Sequence, residues 1–233
     1  MSGLVSRPCL WTLPSSLKTL YMEDLNNYDE SQRRAAFQLI TDAAQRAANV
    51  GVDEFPQKWF DLMLWYTDVA VLLFEPHHKP ADRRLLGMIV VADSRFTRNA
   101  HPTACQLLVV TATELSGRQV WRDLASLGVA LAAVSEHRYV DCFVEVFVPC
   151  LEHVLAMRDV GFIVTACIPT AGILAGHSGH VDSYVMYKQL HVFDAQSVCT
   201  FYFGSGTDLI SILILPFFLL FFFLLGQPVR FQI

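Results

Sequence analysis

No cluster of Lys or Arg occurs anywhere in this 233-residue chain, whose 17 basic side chains are outnumbered by 22 acidic ones for a formal net charge of −5. Binding to nucleic acid without sequence preference draws on clustered cations that displace counterions from phosphates, so that class of function is set aside. The 6 cysteines, Cys9, Cys105, Cys142, Cys150, Cys167 and Cys199, form no CxxC pair and share no zinc-type spacing with histidine, and no metal site is expected. They fall in apolar segments and read as reduced core thiols of a domain on the cytosolic side. The opening residues, MSGLVSRPCLWTLP, lack the apolar core of a secretory signal.

What is present is apolar bulk: 53% hydrophobic residues against 17% charged suits one medium domain with a full core and a small appendage. The run LISILILPFFLLFFFLL at 209–225 holds no charge, and as a helix its about 17 residues would span roughly 25 Å, enough for a thin bilayer. It is expected to be a single-pass C-terminal membrane anchor that leaves the globular part in the cytosol. A buried terminal helix, or a tail from an alternative transcript end, are the other readings of it. The expected organisation is an N-terminal extension (1–14), a folded domain (15–190), a linker (191–208), the transmembrane segment (209–226) and a short tail (227–233).

Within the domain, an extended piece at 16–25 precedes a helix over 29–50, where Phe37, Ile40, Ala44 and Ala47 recur at helical spacing, Asp29 and Ser31 offer caps and Gly51 a stop. Strands are predicted at 68–75, 85–93 and 104–113, the first two joined by the polar 76-PHHKPADRR-84. Val120, Leu124, Leu127, Leu131 and Val134 predict a helix from about 118 to 137. A strand at 141–148, a short helix from Pro149 to Asp159 and strands at 162–169 and 181–190 complete the order. This is a mixed α/β fold, its mostly antiparallel sheet flanked by helices, with the hydrophobic helix at the C-terminus.

The turn 114-ELSGRQVWRDLASL-127 opens the long helix, 150-CLEHVLAMRDVGF-162 ends the next helix in Gly-Phe, and 168-IPTAGIL-174 leads to the final strand 181-VDSYVMYKQL-190. In this order and spacing the chain, from about residue 15 to 190, resembles the GCN5-related N-acetyltransferase superfamily. The resemblance implies that Leu115, Ser116, Gly117, Arg118, Gln119, Val120, Trp121 and Arg122 form a turn whose amides bind the pyrophosphate of acetyl-CoA at a helix N-terminus, where unpaired N–H groups and the macrodipole favour anions. It also implies that the preceding strand splays from its neighbour, freeing an amide near Val109 or Val110 to meet the acetyl carbonyl. Gly117, Val120 and Leu124 keep the family pattern Arg-Gly-x-Gly-(Ile or Val)-Gly-x-x-Leu, whereas Ser116, Gln119 and Trp121 depart from it. Against Asn-x-x-Ala-x-x-x-Tyr-x-x-x-Gly-Phe, Cys150 stands for Asn and Met157 for the tyrosine that protonates the departing thiolate, a task no thioether can perform.

Such a site needs a base for the attacking ammonium and an acid for the leaving thiolate. Glu114, just before the turn, and Glu145, alone in an apolar strand, are the candidate bases; as alternatives, Glu114 complements the helix terminus and Glu145 faces water. Tyr184 or Tyr139 is the candidate acid. His77 and His78 belong to a solvated hairpin loop, His177 and His180 to a loop bordering the substrate cleft, and 59-WFDLMLWY-66 to the core or the substrate side. The function expected from the resemblance is acetyl-CoA-dependent acetylation of an amine acceptor, on a small molecule or a peptide N-terminus. The alternative is a fold relative that acts as a binding or scaffolding protein.

Overall fold

The computed structural model describes residues 9–25, 29–51, 57–77, 83–94, 103–135, 137, 139–191 and 201–202. Its elements run β1 (Cys9–Thr12), β2 (Thr19–Asp24), α1 (Glu30–Gln45), α2 (Gln57–Trp65), β3 (Thr67–Phe74), β4 (Leu85–Asp93) and β5 (Ala104–Thr111), then a 3-10 turn at Thr113–Leu115. They continue with α3 (Arg118–Val134), β6 (Asp141–Phe147), α4 (Leu151–Asp159), β7 (Ile163–Ile173), β8 (His180–Gln189) and β9 (Phe201–Tyr202). Among the described residues all strands join one sheet of order β7-β8-β6-β5-β4-β3-β2-β1-β9. Every junction is antiparallel except β5/β6, which is parallel because α3 crosses over between those strands. The mixed, mostly antiparallel α/β class is the one the periodicities predict.

Helix α1 starts as expected: Asp29 accepts from the amides of Ser31 (2.9 Å) and Gln32 (3.2 Å), filling two orphan donors of the first turn. It buries Ala36, Leu39, Ile40, Ala43 and Ala44, one face at helical spacing. Its end differs from the expected Gly51. Ala47 (φ 53) and Asn49 (φ 58) take left-handed conformations that no α-helix continues through, so the chain turns away directly after Gln45. Non-glycine residues supply the turn, which is why glycine is a misleading stop signal here.

Helix α3 lies on β4 and β5 through Gly128, where a Cβ would stand 2.4 Å from Leu107 Cδ1 and 3.2 Å from Ile89 Cγ2. The core stripe is shifted from the predicted one: Trp121, Leu124, Leu127 and Leu131 are buried, whereas Val134 is 46% exposed and Ser135 already ends the helix. The indole of Trp121 takes the first core position in place of Val120.

Four further differences concern boundaries. Cys9–Thr12, within the expected N-terminal extension, pairs with Thr19–Met22, and Phe201–Tyr202, within the expected linker, pairs with Leu10 and Trp11. Helix α4 begins at Leu151 rather than Pro149, with Cys150 as its N-cap. Strand β7 runs on to Ile173 through a register shift between Ile168 and Gly172, where a loop was expected. Four of the thiols, Cys9, Cys105, Cys142 and Cys150, are buried as core residues, but Cys167 is exposed on β7. Among the described residues no helix is long and apolar enough to cross a membrane; the apolar run 209–225, Cys199 and His78 lie outside them.

Candidate active site

The parallel junction holds only where Ala104–Gln106 faces Asp141–Phe143. Beyond it β5 continues to Thr111 and β6 to Phe147 without pairing, and a gap opens between them. The direction of the edge groups follows from one bond: the amide of Ala112 donates to the carbonyl of Leu86 across β4 (2.8 Å). By period-two alternation the amides of Val110 and Leu108 also face β4, while those of Val109 and Thr111 face the gap. Of the two candidate amides, Val109 is therefore the one available to a ligand, and Val110 is engaged in the sheet.

The turn that follows α1 reaches both walls of the gap. Arg46 Nη2 donates to the carbonyl of Thr111 on β5 (2.8 Å). Asn49 donates through Nδ2 to the carbonyl of Glu145 (3.1 Å) and accepts through Oδ1 from the amide of Phe147 (2.8 Å), both on β6. Neither residue carries a motif, and Asn49 sits in a stretch that reads as the fading end of a helix.

At the open end of the gap lies the turn before α3. Gly117 has φ 102 and ψ 149, a conformation essentially restricted to glycine, and a Cβ added there would meet nothing within 4 Å. No side chain caps α3 and its first turn holds no acid, so its leading amides are left without a side-chain acceptor at the positive end of the helix. Ser116, Arg118 and Gln119 are exposed, Val120 and Arg122 half-buried, and Leu115 is buried under the turn. Trp121 does not fill this seat. Its indole is 3% exposed and packs edge-on against His153 of α4, ring centroids 3.8 Å apart. His153 stands where the resembled pattern has Ala, so two small residues are replaced by a contacting pair of rings. Arg118 makes a two-point ion pair with Asp159 at the end of α4 (2.8 and 2.7 Å), which holds the Asp159 carboxyl below its ordinary value.

The candidate acid and bases separate by face. Gly128 sits over Leu107 and Ile89, so the odd-numbered residues of β5 face α3. The pairing of Cys105 with Cys142 then puts Val144 and Val146 on that face and Phe143, Glu145 and Phe147 on the other. Glu145 is exposed there and accepts from Ser183 Oγ at 2.5 Å. Tyr184, opposite Val146, lies on the α3 face, half-buried. Tyr139 precedes β6 at the closed end of the gap, beside Val140, whose amide bonds to Thr103. Glu114 points into a separate cleft of about 250 Å³ with Asp42, Arg46 and Arg84. Its own backbone amide and the Arg84 guanidinium, 2.7 Å away, hold its carboxyl below the ordinary value, which makes it a weaker base than a free glutamate. In α2, Phe60, Met63 and Leu64 are core residues while Trp65 is 83% exposed, and His177 and His180 are exposed at the β7–β8 connection.

Neither a protein-family model nor a curated protein matches the sequence. Solved structures match in fold. A Salmonella typhimurium protein solved with its cofactor acetyl-CoA gives a TM-score of 0.57 at 16% identity, over 77% of this chain and 99% of that one. Spermidine N-acetyltransferase from Vibrio cholerae, in complex with CoA and spermine, gives 0.53 at 12% identity over 73% and 95%. A GCN5-related N-acetyltransferase from Kribbella flavida gives 0.54 at 18% identity over 73% and 98%. The chain has the fold of this superfamily, in a divergent form.

Proposed function

We propose that this chain is an acetyl-CoA-dependent N-acetyltransferase that moves an acetyl group to a primary amine, on a small molecule or a peptide N-terminus, by direct attack in a ternary complex. The observation that carries the reading is the gap between β5 and β6, with the Val109 amide on its wall and the open Gly117 turn at its mouth. The residues fit the ligand: uncapped amides and a glycine with empty space before it suit a pyrophosphate, and the Trp121 indole points into the core.

When bound, acetyl-CoA supplies a thioester carbonyl open to attack by a neutral amine. Val109 N–H donates to the carbonyl oxygen and stabilises the charge that grows on it as the nitrogen approaches. Glu145, oriented by the Ser183 hydroxyl, takes the ammonium proton directly or through a water. Tyr184, on the α3 face, holds the proton that the leaving sulfur needs.

The test is calorimetric or thermal. The chain is titrated with acetyl-CoA, and a ligand at about 100 times its dissociation constant should stabilise the fold by about 2.7 kcal/mol. Absence of any shift at millimolar acetyl-CoA sinks the transferase reading and leaves a fold relative that serves as a binding or scaffolding protein. We further propose that residues 209–226 anchor the chain to a membrane with its folded domain in the cytosol, on the strength of the uncharged run alone. Release of the full-length protein by carbonate extraction would remove the anchor.

A further inference from the structure

We propose that Asn49 is a stop for the β5–β6 ladder: its side-chain amide occupies the two groups of β6 that would otherwise close over Val109. The inference rests on the transferase reading only for what Val109 is kept free to do. The register Gln106↔Phe143, continued two residues, pairs Leu108 with Glu145. In a parallel ladder centred on that rung, the Val109 N–H meets the Glu145 carbonyl, and one step on, the Val109 carbonyl meets the Phe147 N–H. Those are the two β6 groups Asn49 holds, the Glu145 carbonyl through Nδ2 at 3.1 Å and the Phe147 amide through Oδ1 at 2.8 Å. One carboxamide thus stands in for one residue of a missing strand.

The turn that carries Asn49 is built for the task. Asn49 is held at φ 58, a left-handed conformation in which Asn is better tolerated than most residues. Arg46 ties the same turn to Thr111 on the opposite wall, and Cys150 Sγ donates to the carbonyl of Ala47 at 3.4 Å, fixing the turn to the start of α4. Both walls are therefore bonded to one short turn and held apart by it. Two strands of largely β-branched and apolar residues, 107-LLVVT-111 and 144-VEVF-147, have every local preference to keep pairing. Buried edge groups left without partners are costly, so the ladder would extend unless something else satisfied them. Asn49 does so on β6, which leaves the Val109 amide for the acetyl oxygen. It acts as a positioning residue.

The deciding variant is Asn49→Gly, because glycine adopts φ 58 without strain and removes only the carboxamide. Amide hydrogen exchange on the full chain reads the result without any ligand. In the wild type the Val109 amide exchanges faster than that of Val110; in Asn49→Gly the ladder closes and Val109 slows by about tenfold or more. Unchanged Val109 exchange in a folded Asn49→Gly chain overturns the proposal. Should that variant fail to fold, Asn49→Asp carries the same test, since a carboxylate cannot donate to the Glu145 carbonyl and releases it to Val109. A second readout separates positioning from general stability: the wild type binds acetyl-CoA more tightly than CoA through the Val109 contact, and Asn49→Gly abolishes that preference. Equal loss of affinity for both ligands, with the preference kept, speaks for a merely structural role. A wild-type chain that binds neither ligand sinks the transferase reading alone, because Val109 exchange still decides whether Asn49 stops the ladder.

Discussion

His153 sits in an environment far from what its side chain prefers in water. Both ring nitrogens are buried without a hydrogen-bond partner, and burial pushes the imidazole from 6.5 down to about 4. It is neutral in the folded chain at pH 7. Because the folded value lies below the unfolded one, the unfolded chain binds the extra proton as pH falls. Stability is therefore complete above pH 6.5 and declines between 6.5 and about 4, by about 3 kcal/mol over the whole window. His153→Leu, which keeps contact with Trp121 and has no nitrogen to leave unpaired, should be as stable as the wild type or more so at pH 7. It should also lose much of the acid sensitivity. Urea unfolding at pH 7 and pH 5 checks both; an equal pH 5 penalty in the two proteins would assign the acid sensitivity to other groups.

Among the elements, α3 shows how packing overrides local preference. Glycine at a helix centre costs about 1 kcal/mol relative to alanine, so Gly128→Ala would stabilise an isolated α3. On the sheet the added Cβ meets Leu107 Cδ1 at 2.4 Å, within a core where Ile89 is also close. Overpacking of this kind costs about 1–3 kcal/mol, and the expected outcome is a net loss of stability in equilibrium unfolding. A rise in stability would mean that α3 lifts off β5 at no cost. The same helix marks what the sequence discloses. Its existence, the strand on either side and the crossover are legible because a short continuous apolar run before it and an alternating one after it flank apolar residues at a period of 3.6. The exact stripe is not, since Val120 and Trp121 are both apolar neighbours and only tertiary packing selects the indole. Gly117 and the stretch of β5 that parts from β6 are legible through the resemblance. Arg46, Asn49 and His153 are not: each acts through a partner roughly 30 or more residues distant, and no local spacing encodes such a meeting. Glu114 stands out in sequence by its place before the turn, yet its ion pair with Arg84 comes from the far end of the β3–β4 hairpin.

For the whole molecule the decisive electrostatic question is range. A net charge of −5 repels a polyanionic ligand at distance, but at physiological ionic strength screening confines that repulsion to about 8 Å, and groups at the seat decide the affinity. Among the described residues two cations, Arg118 and Arg122, stand at the turn, and each is already engaged. Arg122 pairs with the buried Asp123 at 3.1 Å, and Arg118 with Asp159 across the ends of α3 and α4. Asp123 is buried and held further by the amide of Ser15 at 2.7 Å, so Arg122, itself half-buried, is paired with a fixed carboxylate. The Arg118 pair is more exposed and can exchange its carboxylate for a phosphate. Asp159→Asn frees the guanidinium and removes one negative charge from the mouth of the gap. Acetyl-CoA should then bind severalfold more tightly at low salt, and the advantage should shrink as salt is raised, because an exposed charge contact is screened. Isothermal titration at several NaCl concentrations measures both. Identical affinities for wild type and Asp159→Asn at every salt concentration would place the phosphates away from Arg118, and with them the turn at Gly117 would lose its role as their seat.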